Sequence, residues 1–267
     1  MQPGAPKHRP RKRFGQNFLH DKNIISRIVH SIELDSTLPV VEIGPGKGAL
    51  TEELLKFENH VHAIEIDRDL ADGLNARFDG LENFHLYCAD ALKFDFADIE
   101  PHPLQVIGNL PYNVSTPLLF HLLEQLAPVK NMLFMLQEEV VDRICAEHNT
   151  ASYGRLSVMV QSRCKVKKLF QVPATAFSPV PKVTSAVVLL QPSADISSGI
   201  KRPEIFERLV RQAFSQRRKT IRKALKDLLS TEEIEAQGLS GTLRPAQLSV
   251  PDFVGLANAV KGKIQGP

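Results

Sequence analysis

The segment VVEIGPGKGALTEEL, residues 40–54, carries the strongest fold signal in this chain. A short apolar run is followed at once by three glycines, Gly44, Gly46 and Gly48, and then by a helix-like pattern. Glycines in this position allow a tight turn and let a ligand come close to the backbone. The spacing is GxGxG, which differs from the dinucleotide GxGxxG motif and from the Walker motif. The segment therefore predicts the first strand, loop and helix of a parallel sheet that binds a ligand.

Strand-like and helix-like runs alternate along the chain around this segment, which is the pattern of βαβ units. The sequence predicts parallel strands over 40–44, 61–66, 84–88, 104–108 and 131–137. Helices are predicted over 22–32, 48–57, 68–78 and 115–126, with another after Glu138 and one near 153–161. Two later runs, 166–172 and 186–190, predict an antiparallel edge of the same sheet. The predicted fold class is α/β with a Rossmann-like sheet.

The chain changes character after Pro192. The stretch SADISSG, residues 193–199, predicts a linker, and the patterns beyond it are helical with no strand signal. We therefore predict two domains, a Rossmann-like domain over 1–195 and a small all-helical domain over 200–267. The first of these includes a basic N-terminal arm at 1–20. With 267 residues the chain is long enough to hold both.

Two acidic residues follow later strands at the same edge of the predicted sheet. Glu65 ends the second strand, about 20 positions after Gly44, where a carboxylate can accept hydrogen bonds from both ribose hydroxyls. Asp90 follows the third strand within CADAL, where it could bind an adenine edge. A lone glycine turn or a lone Asp is often only a structural turn or a helix cap. Together with Gly46 they predict a nucleoside cofactor. NAD is the alternative, and S-adenosylmethionine suits the shortened spacing better because it has no pyrophosphate.

The segment GNLPYNVSTPLLFHLL, residues 108–123, places a polar motif at the end of the fourth predicted strand. Methylation of an exocyclic amine needs acceptors on its N–H groups, because the nitrogen lone pair is otherwise delocalised into the ring. The Asn109 side-chain oxygen and a backbone carbonyl near Leu110 could be these acceptors, and Pro111 fixes the backbone that presents the carbonyl. Tyr112 can stack on the base. A plain Asn-x-Pro turn is the alternative when the motif stands alone.

Charge is distributed unevenly although the net charge is only +3. Acidic residues outnumber basic ones over 33–100, basic residues dominate 201–226, and the N-terminal KHRPRKR adds a second basic cluster. Solvated surface is the alternative for each cluster, but the two together favour a polyanionic partner such as RNA. An apolar stripe over 207–229 predicts a helix with basic residues on another face. The candidate phosphate contacts are Arg217, Arg218, Lys219 and Arg222.

The remaining composition favours a cytoplasmic protein. The three cysteines, Cys88, Cys145 and Cys164, lack the spacing of a zinc site or a disulfide framework, so a reducing compartment and no metal are expected. No apolar run has the length of a membrane span, and the N-terminus lacks the apolar core of a secretory signal. A monomer with no membrane partner is expected.

These motifs together resemble the bacterial small-subunit (16S) rRNA adenine N6,N6-dimethyltransferases, the family whose loss gives kasugamycin resistance. The resemblance runs from RKRFGQNFL through VEIGPGKGALT, AIEIDRDL, CADAL and GNLPYNVSTPLL to FSPVPKVTSAVV and AFSQRRKTIRKAL, which is nearly the whole chain. It implies a class I S-adenosylmethionine-dependent methyltransferase with a small helical domain. It also implies dimethylation of two adjacent adenines near the 3′ end of small-subunit rRNA during subunit biogenesis.

The resemblance also assigns site residues by position. The family's cofactor contacts fall on Asn17, Leu19, Gly44, Glu65, Asp90 and Asn109, and its target-base residues on Asn109, Leu110, Pro111, Tyr112 and Phe177. From the residues alone, FGQNFLHD is equally a helix lead-in capped by Asp21, and Phe177 in a proline-flanked loop is more often a packing residue.

Three other functions stay open at this stage. The antibiotic-resistance branch of the superfamily methylates a large-subunit rRNA adenine, although the basic C-terminal segment favours the small-subunit branch. An RNA-binding assembly factor that needs no catalysis is disfavoured by the intact site motifs. A nucleoside-dependent oxidoreductase is disfavoured by the glycine spacing and by the Pro-Tyr pair at the strand end.

Overall fold

The computed structural model describes residues 16–261, so the basic N-terminal arm predicted at 1–20 lies outside the described residues except for 16–20. The chain forms two compact units. The first runs to Val141 and resumes over Lys167–Pro192, and the second contains Asp142–Val166 and the chain from Ser193 onward. Among residues 16–261, no helix is long and apolar enough to cross a membrane.

The first unit is built from the predicted alternation of strands and helices. Its elements in chain order are β1 (Phe18–Leu19), α1 (Lys22–His30), β2 (Val40–Ile43), α2 (Ala49–Leu54), β3 (Val61–Glu65), α3 (Arg68–Phe78), β4 (Phe84–Cys88), β5 (Leu104–Asn109), α4 (Ser115–Glu124) and β6 (Val129–Gln137). Helices α5 (Glu138–Ile144) and α6 (Arg155–Gln161) come next in the chain. The first unit then continues with β7 (Cys164–Val172), β8 (Phe177–Ser178) and β9 (Ser185–Pro192). The predicted strands and helices are confirmed to within a few residues.

Seven strands form one twisted sheet in the order β4-β3-β2-β5-β6-β9-β7. The strands from β4 to β6 are parallel, and β9 runs antiparallel to β6, as the sequence predicts. Strand β2 lies between β3 and β5, because the chain runs from β2 through β3 to β4 on one side and then crosses back to β5 on the other side. A crevice opens at such a reversal, beyond the carboxyl ends of the strands, and ligands of open parallel sheets bind there.

The core of this unit explains why the apolar runs become strands. All residues of β2 and β3 are buried, because helices cover both faces of a parallel sheet. Helix α1 buries Ile25, Ile28 and Val29, each contributing about 1.5–3 kcal/mol of hydrophobic free energy. The helix begins at Asp21, whose side chain accepts hydrogen bonds from the backbone of Asn23 and Ile24.

Two very short strands are not predicted by the sequence. Strand β1 pairs antiparallel with β8, with Phe18 opposite Ser178 and Leu19 opposite Phe177. The backbone N–H of His20 extends this pairing by donating to the Ala176 carbonyl at 3.0 Å. This pairing, a separate two-stranded sheet, fixes the N-terminal segment of the described chain to the segment between β7 and β9.

The second unit is helical and contains α6, α7 (Ala194–Ser197), α8 (Pro203–Ser215), α9 (Ile221–Ala224), α10 (Thr231–Glu235) and α11 (Val250–Ala259). The predicted boundaries, 1–195 and 200–267, differ from this division at 142–166, which the sequence assigns to the first domain. The segment packs in the second unit through contacts between α6 and α8, among them the ion pair of Arg155 with Glu207 at 3.0 Å. The predicted linker 193–199 contains the short helix α7.

The continuous helix predicted over 207–229 is wrong. Helix α8 ends at Ser215 and α9 begins at Ile221, and the N–H of Lys219 donates to the Gln216 carbonyl across the turn between them. The guanidinium of Arg217 donates to the backbone carbonyls of Ala151 and Tyr153, which holds this turn to another loop of the same unit. The apolar stripe is buried as predicted at Leu209, Val210, Ala213, Ile221 and Leu225.

Candidate active site

The glycine loop between β2 and α2 forms one wall of a cavity at the carboxyl edge of the sheet. Gly44, Gly46 and Gly48 have φ values of +68°, +59° and +78°, a region that side chains disfavour. A Cβ on Gly46 would lie 3.2 Å from the ring of Phe18, and one on Gly48 would lie 2.8 Å from the Leu74 side chain. The loop therefore needs glycine both for its backbone conformation and for close packing.

Glu65, at the end of β3, is locked to this loop. One carboxylate oxygen accepts from the Gly46 N–H at 3.0 Å, and the other accepts from the Asp67 N–H at 2.9 Å. Burial raises the pKa of Glu65, and the two backbone donors oppose that rise. Each oxygen can accept one more bond, so the carboxylate can still receive two ribose hydroxyls.

Asp90 contributes the third wall of the cavity, together with Ala89 and Ala91. One of its carboxylate oxygens accepts from the backbone N–H of Leu92 at 3.0 Å. The structural role that the sequence allows for this Asp is therefore present. Asp90 can still bind a ligand, because it also lines the cavity.

The N-terminal segment closes the cavity from the other side. Gln16 donates to the carboxylate of Asp67 at 3.1 Å, and the backbone carbonyl of Asn17 accepts from the Asn109 side-chain amide at 3.2 Å. The ammonium of Lys47 lies 4.5 Å from the centre of the Phe18 ring. Asn17 and Leu19, which only the resemblance assigned, both line the cavity.

The motif Asn109 to Tyr112 leaves β5 directly into this cavity. The Leu110 N–H continues the sheet by donating to the Met135 carbonyl at 3.1 Å. The Pro111 carbonyl accepts from Val114 and the Tyr112 carbonyl accepts from Ser115, whereas no donor to the Leu110 carbonyl is found among residues 16–261. Because the amide nitrogen of Asn109 is held by Asn17, the amide oxygen is left as an acceptor.

Tyr112 is half-buried, and its hydroxyl is anchored. The hydroxyl lies 2.8 Å from the Oγ of Ser185, a fully buried residue at the start of β9. Burial raises the pKa of Tyr112, so the phenol stays protonated at neutral pH. The anchored hydroxyl restrains the ring of Tyr112, which lines the cavity.

Phe177 does not reach the cavity. Its side chain is 1% exposed and packs in the hydrophobic core with Leu19, Ile107 and Val187. The role in binding the target base that the resemblance implies is therefore not supported by this position. Phe177 instead holds Leu19 in place through the pairing of β1 with β8.

The cavity brings the other predicted cofactor and base residues together. Its volume is about 310 Å³, within the range of small-molecule sites. It is lined by the predicted residues Asn17, Leu19, Gly44, Gly46, Glu65, Asp90, Asn109, Leu110, Pro111 and Tyr112. A nucleoside with a short charged tail fits this mixture of carboxylates, backbone groups and apolar walls.

Two residues of the site are not found by reasoning from the sequence. Glu42 lines the cavity from inside β2, and its signal is a charged residue within an apolar strand. Ser185 holds Tyr112 from a position 73 residues away in the chain, and nothing local marks it. Among the described residues, no group of three or more metal-ligating side chains is found.

The four candidate phosphate contacts lie in the second unit. Arg217, Arg218, Lys219 and Arg222 are all exposed. They sit in the turn after α8 and in α9 rather than along one helical face. Arg217 differs from the others because its guanidinium is bound to two backbone carbonyls.

The reversal of strand order at β2, and the cavity that opens there, are features of the class I S-adenosylmethionine-dependent methyltransferases. Sequence comparison narrows this class. The profile of the ribosomal RNA adenine dimethylase family matches residues 7–260, and the chain belongs to that family. The fold class, the methyltransferase activity and the cofactor predicted from the sequence are thereby confirmed.

Individual relatives agree with this assignment. The chain is 52% identical to ribosomal RNA small subunit methyltransferase A of Pseudomonas fluorescens over 253 residues, which cover 94% of both chains. A solved dimethyladenosine transferase from Plasmodium falciparum has a TM-score of 0.75 at 27% identity and covers 90% of this chain and 95% of its own. The 23S rRNA methyltransferase ErmE has a TM-score of 0.71 at 28% identity, covering 91% and 99%. The fold is thus shared with a 23S rRNA methyltransferase, so the fold alone does not show which RNA this protein methylates.

Proposed function

We propose that this protein transfers methyl groups from S-adenosylmethionine to N6 of two adjacent adenines near the 3′ end of small-subunit (16S) rRNA. The products are N6,N6-dimethyladenosines formed during small-subunit biogenesis. One observation carries the chemistry: Asn109 and Tyr112 lie in the wall of the cofactor cavity, and each is held by a distant part of the chain. We choose small-subunit RNA because relatives named ribosomal RNA small subunit methyltransferase A are 52% and 50% identical to this chain.

The cofactor residues hold and orient the methyl donor. Glu65 would accept hydrogen bonds from the ribose hydroxyls, and Asp90 and the neighbouring backbone groups would bind the adenine edge, with the Asp90 carboxylate as an acceptor. Gly44 and Gly46 let the ligand approach the backbone. Asn17 and Leu19 cover the remaining part of the ligand. S-adenosylmethionine, when bound, supplies an electrophilic methyl group on a positively charged sulfur.

The Asn109 motif prepares the adenine nitrogen. The Asn109 amide oxygen and the Leu110 carbonyl accept the two N6–H bonds, which favours a localised lone pair on nitrogen. Pro111 fixes the backbone that carries this carbonyl. Tyr112 stacks on the target base after that base has left its stacked position in the RNA. The methylated amine is cationic and loses its extra proton to water, so no side chain is needed as a base. Positioning supplies most of the acceleration.

Binding of the RNA is assigned to the second unit. The acidic surface of 33–100 repels phosphates, whereas Arg218, Lys219 and Arg222 are exposed cations in one short segment. Phosphate contacts by these residues position the RNA without reading its bases. The substrate in this proposal is an assembling small ribosomal subunit in the cytoplasm, and the protein acts on it as a monomer.

The test is methylation of ribosomal particles by the full chain. Small subunits from a bacterium that lacks these two dimethyladenosines are incubated with the protein and S-adenosylmethionine, and the adenines are analysed by mass spectrometry. We expect two adjacent dimethyladenosines near the 3′ end of the small-subunit RNA and none in large subunits treated in parallel. Methylation of the large-subunit RNA instead would move the protein to the antibiotic-resistance branch. Particle binding without methylation would make it an assembly factor.

A further inference from the structure

Glu42 is a buried carboxylic acid that the proposed mechanism does not use. It lies in β2, where only 1% of its surface is exposed, and its neighbours in the strand are Val40, Val41 and Ile43. The Thr51 hydroxyl, itself fully buried, donates to the Glu42 carboxylate at 2.5 Å. The Thr51 backbone also forms a hydrogen bond to this carboxylate. Within residues 16–261, no other residue forms a hydrogen bond or an ion pair with Glu42. The side chain also lines the cofactor cavity.

The charged groups around Glu42 do not compensate its charge. From β3, Glu65 lines the same cavity and adds repulsion, and Asp90 lines it from the loop after β4. Lys47 lines the cavity from the glycine loop, but its ammonium lies over the ring of Phe18. On α2, Glu52 pairs with Arg77 and Glu53 pairs with Lys56. The two strands that flank β2 place Ala63 and Ile107 opposite Glu42.

Burial of a carboxylic acid without a neighbouring cation lowers the stability of the fold, so the presence of Glu42 in β2 needs an explanation. Burial, with a smaller contribution from Glu65, raises the pKa of Glu42 to about 7, so near neutral pH the carboxyl exists in both forms in the free protein. A glutamine could accept the same hydrogen bond from Thr51 without this cost. No cation among residues 16–261 pairs with Glu42, so we infer that the missing partner is a cation that enters the cavity with a ligand.

We propose that Glu42 makes the cavity select the charged methyl donor over its demethylated product, because the positive sulfonium of the donor stabilises the Glu42 carboxylate and the neutral thioether of the product does not. This inference rests on the proposed function. S-adenosylmethionine and S-adenosylhomocysteine share the adenine, ribose, ammonium and carboxylate groups and differ by one methyl group and one positive charge. Glu42 is therefore a specificity-determining residue for exchange of product by new donor.

Selection by charge links cofactor exchange to proton exchange. When the donor binds to protein with protonated Glu42, the carboxyl releases one proton to solvent. When the neutral product remains after methyl transfer, the carboxylate takes up one proton from solvent. Preference for donor over product should therefore rise with pH, by up to about tenfold between pH 6 and pH 8, because protonation of the free protein competes with donor binding only below the pKa of Glu42.

The experiment measures the affinities of S-adenosylmethionine and S-adenosylhomocysteine for the full chain by calorimetry at several pH values. In wild type, the preference for donor over product should rise with pH, and buffers of different ionisation enthalpy should reveal proton release on donor binding near pH 7. In Glu42→Gln the preference should be smaller at pH 8 and independent of pH. Glu52→Gln, a carboxylate on α2 outside the cavity, should behave as wild type.

A second variant and a second measurement keep the test informative if Glu42→Gln binds neither ligand. Thr51→Val removes the Thr51 hydroxyl, which donates to the Glu42 carboxylate, so the rise in selectivity should move to higher pH. In the free protein, the folded pKa lies above the unfolded value of 4.5, so wild type should lose stability relative to Glu42→Gln as pH rises from about 4.5 to about 7.

Two outcomes overturn the inference. These are a preference that is independent of pH in wild type, and a rise with pH that persists in Glu42→Gln. If either occurs while rRNA is still methylated, the proposed function stands and only the role of Glu42 fails. If the donor binds with the expected preference but rRNA is not methylated, the role of Glu42 stands and the proposed function fails.

Discussion

Glu65 illustrates how one side chain can organise a cofactor loop and bind the cofactor. Its two oxygens accept from Gly46 and Asp67, so the carboxylate fixes the loop before any ligand arrives. Glu65→Ala should weaken binding of S-adenosylmethionine by about 1.5–3 kcal/mol, because a charge-assisted hydrogen bond to the ribose is removed. Calorimetry should show an equal loss for S-adenosylhomocysteine, which has the same ribose. A folded variant with unchanged affinity would remove Glu65 from the site.

The Asn109 amide should affect the first and the second methyl transfer to the same adenine nitrogen differently. An unmodified adenine offers two N–H groups to Asn109 and the Leu110 carbonyl, whereas the monomethylated base offers one. Asn109→Ala should therefore slow the first transfer more than the second. Single-turnover rates on unmodified and N6-monomethylated RNA measure both steps. A larger loss on the monomethylated substrate would contradict this count.

At the scale of elements, the end of β5 and the start of β9 meet through a single hydrogen bond between Tyr112 and Ser185. Tyr112→Phe and Ser185→Ala should each lower the rate of methyl transfer about two- to tenfold, since a neutral hydrogen bond contributes about 0.5–1.5 kcal/mol. The double variant should be no worse than either single variant, because both changes remove the same bond. Ser185→Thr, which retains a hydroxyl, is the matched control. Additive losses would show that the two residues act separately.

The turn between α8 and α9 divides the basic residues into two kinds. Replacing Arg218, Lys219 and Arg222 together by alanine should weaken binding to small subunits and reduce its salt dependence by about 0.7–0.9 log units for each phosphate that is no longer neutralised. Cofactor affinity should not change. Binding measured over a range of salt concentrations decides, and an unchanged slope would leave these residues a role in solubility only.

Arg217→Ala is the matched control for that experiment. Its guanidinium is bound to the carbonyls of Ala151 and Tyr153, so the main effect should be a lower melting temperature with little change in the salt slope. The sequence places Arg218 and Arg222 on one face of a predicted helix, with Arg217 and Lys219 flanking that face. The helix ends at Ser215, and spacing therefore does not show which cation faces the protein itself.

For the whole molecule, the parts predicted well are those that local physics determines. The strands β2, β3, β5 and β6 are mostly apolar because both faces of the sheet are covered there, and the glycine loop follows from backbone conformations that only glycine adopts easily. For the same reason the cavity residues Gly44, Glu65, Asp90 and Asn109 can be found by reading each strand to its carboxyl end. These residues need only their own strand and the topology to meet.

The parts that the sequence does not predict depend on partners far away in the chain. The strands β1 and β8 have two residues each and exist only because they pair with each other. The segment 142–166 has a clear helical pattern, but periodicity does not show which unit a helix packs in. Ser185 and Phe177 likewise take their roles from long-range contacts, one beside Tyr112 and one in the core.

The pairing of Leu19 with Phe177 also matters during protein synthesis. The ribosome releases the N-terminal wall of the cavity first, yet the strand that holds this wall is translated only after most of the sheet. A nascent chain that lacks β8 already contains the glycine loop, Glu65 and Asp90, but the backbone pairing that holds Phe18 and Leu19 is missing, and Asn17 is held beside Asn109 by side-chain contacts alone. Capture of the methyl donor is therefore a late event in translation. Polypeptides stalled or cleaved before Phe177 should hold it poorly.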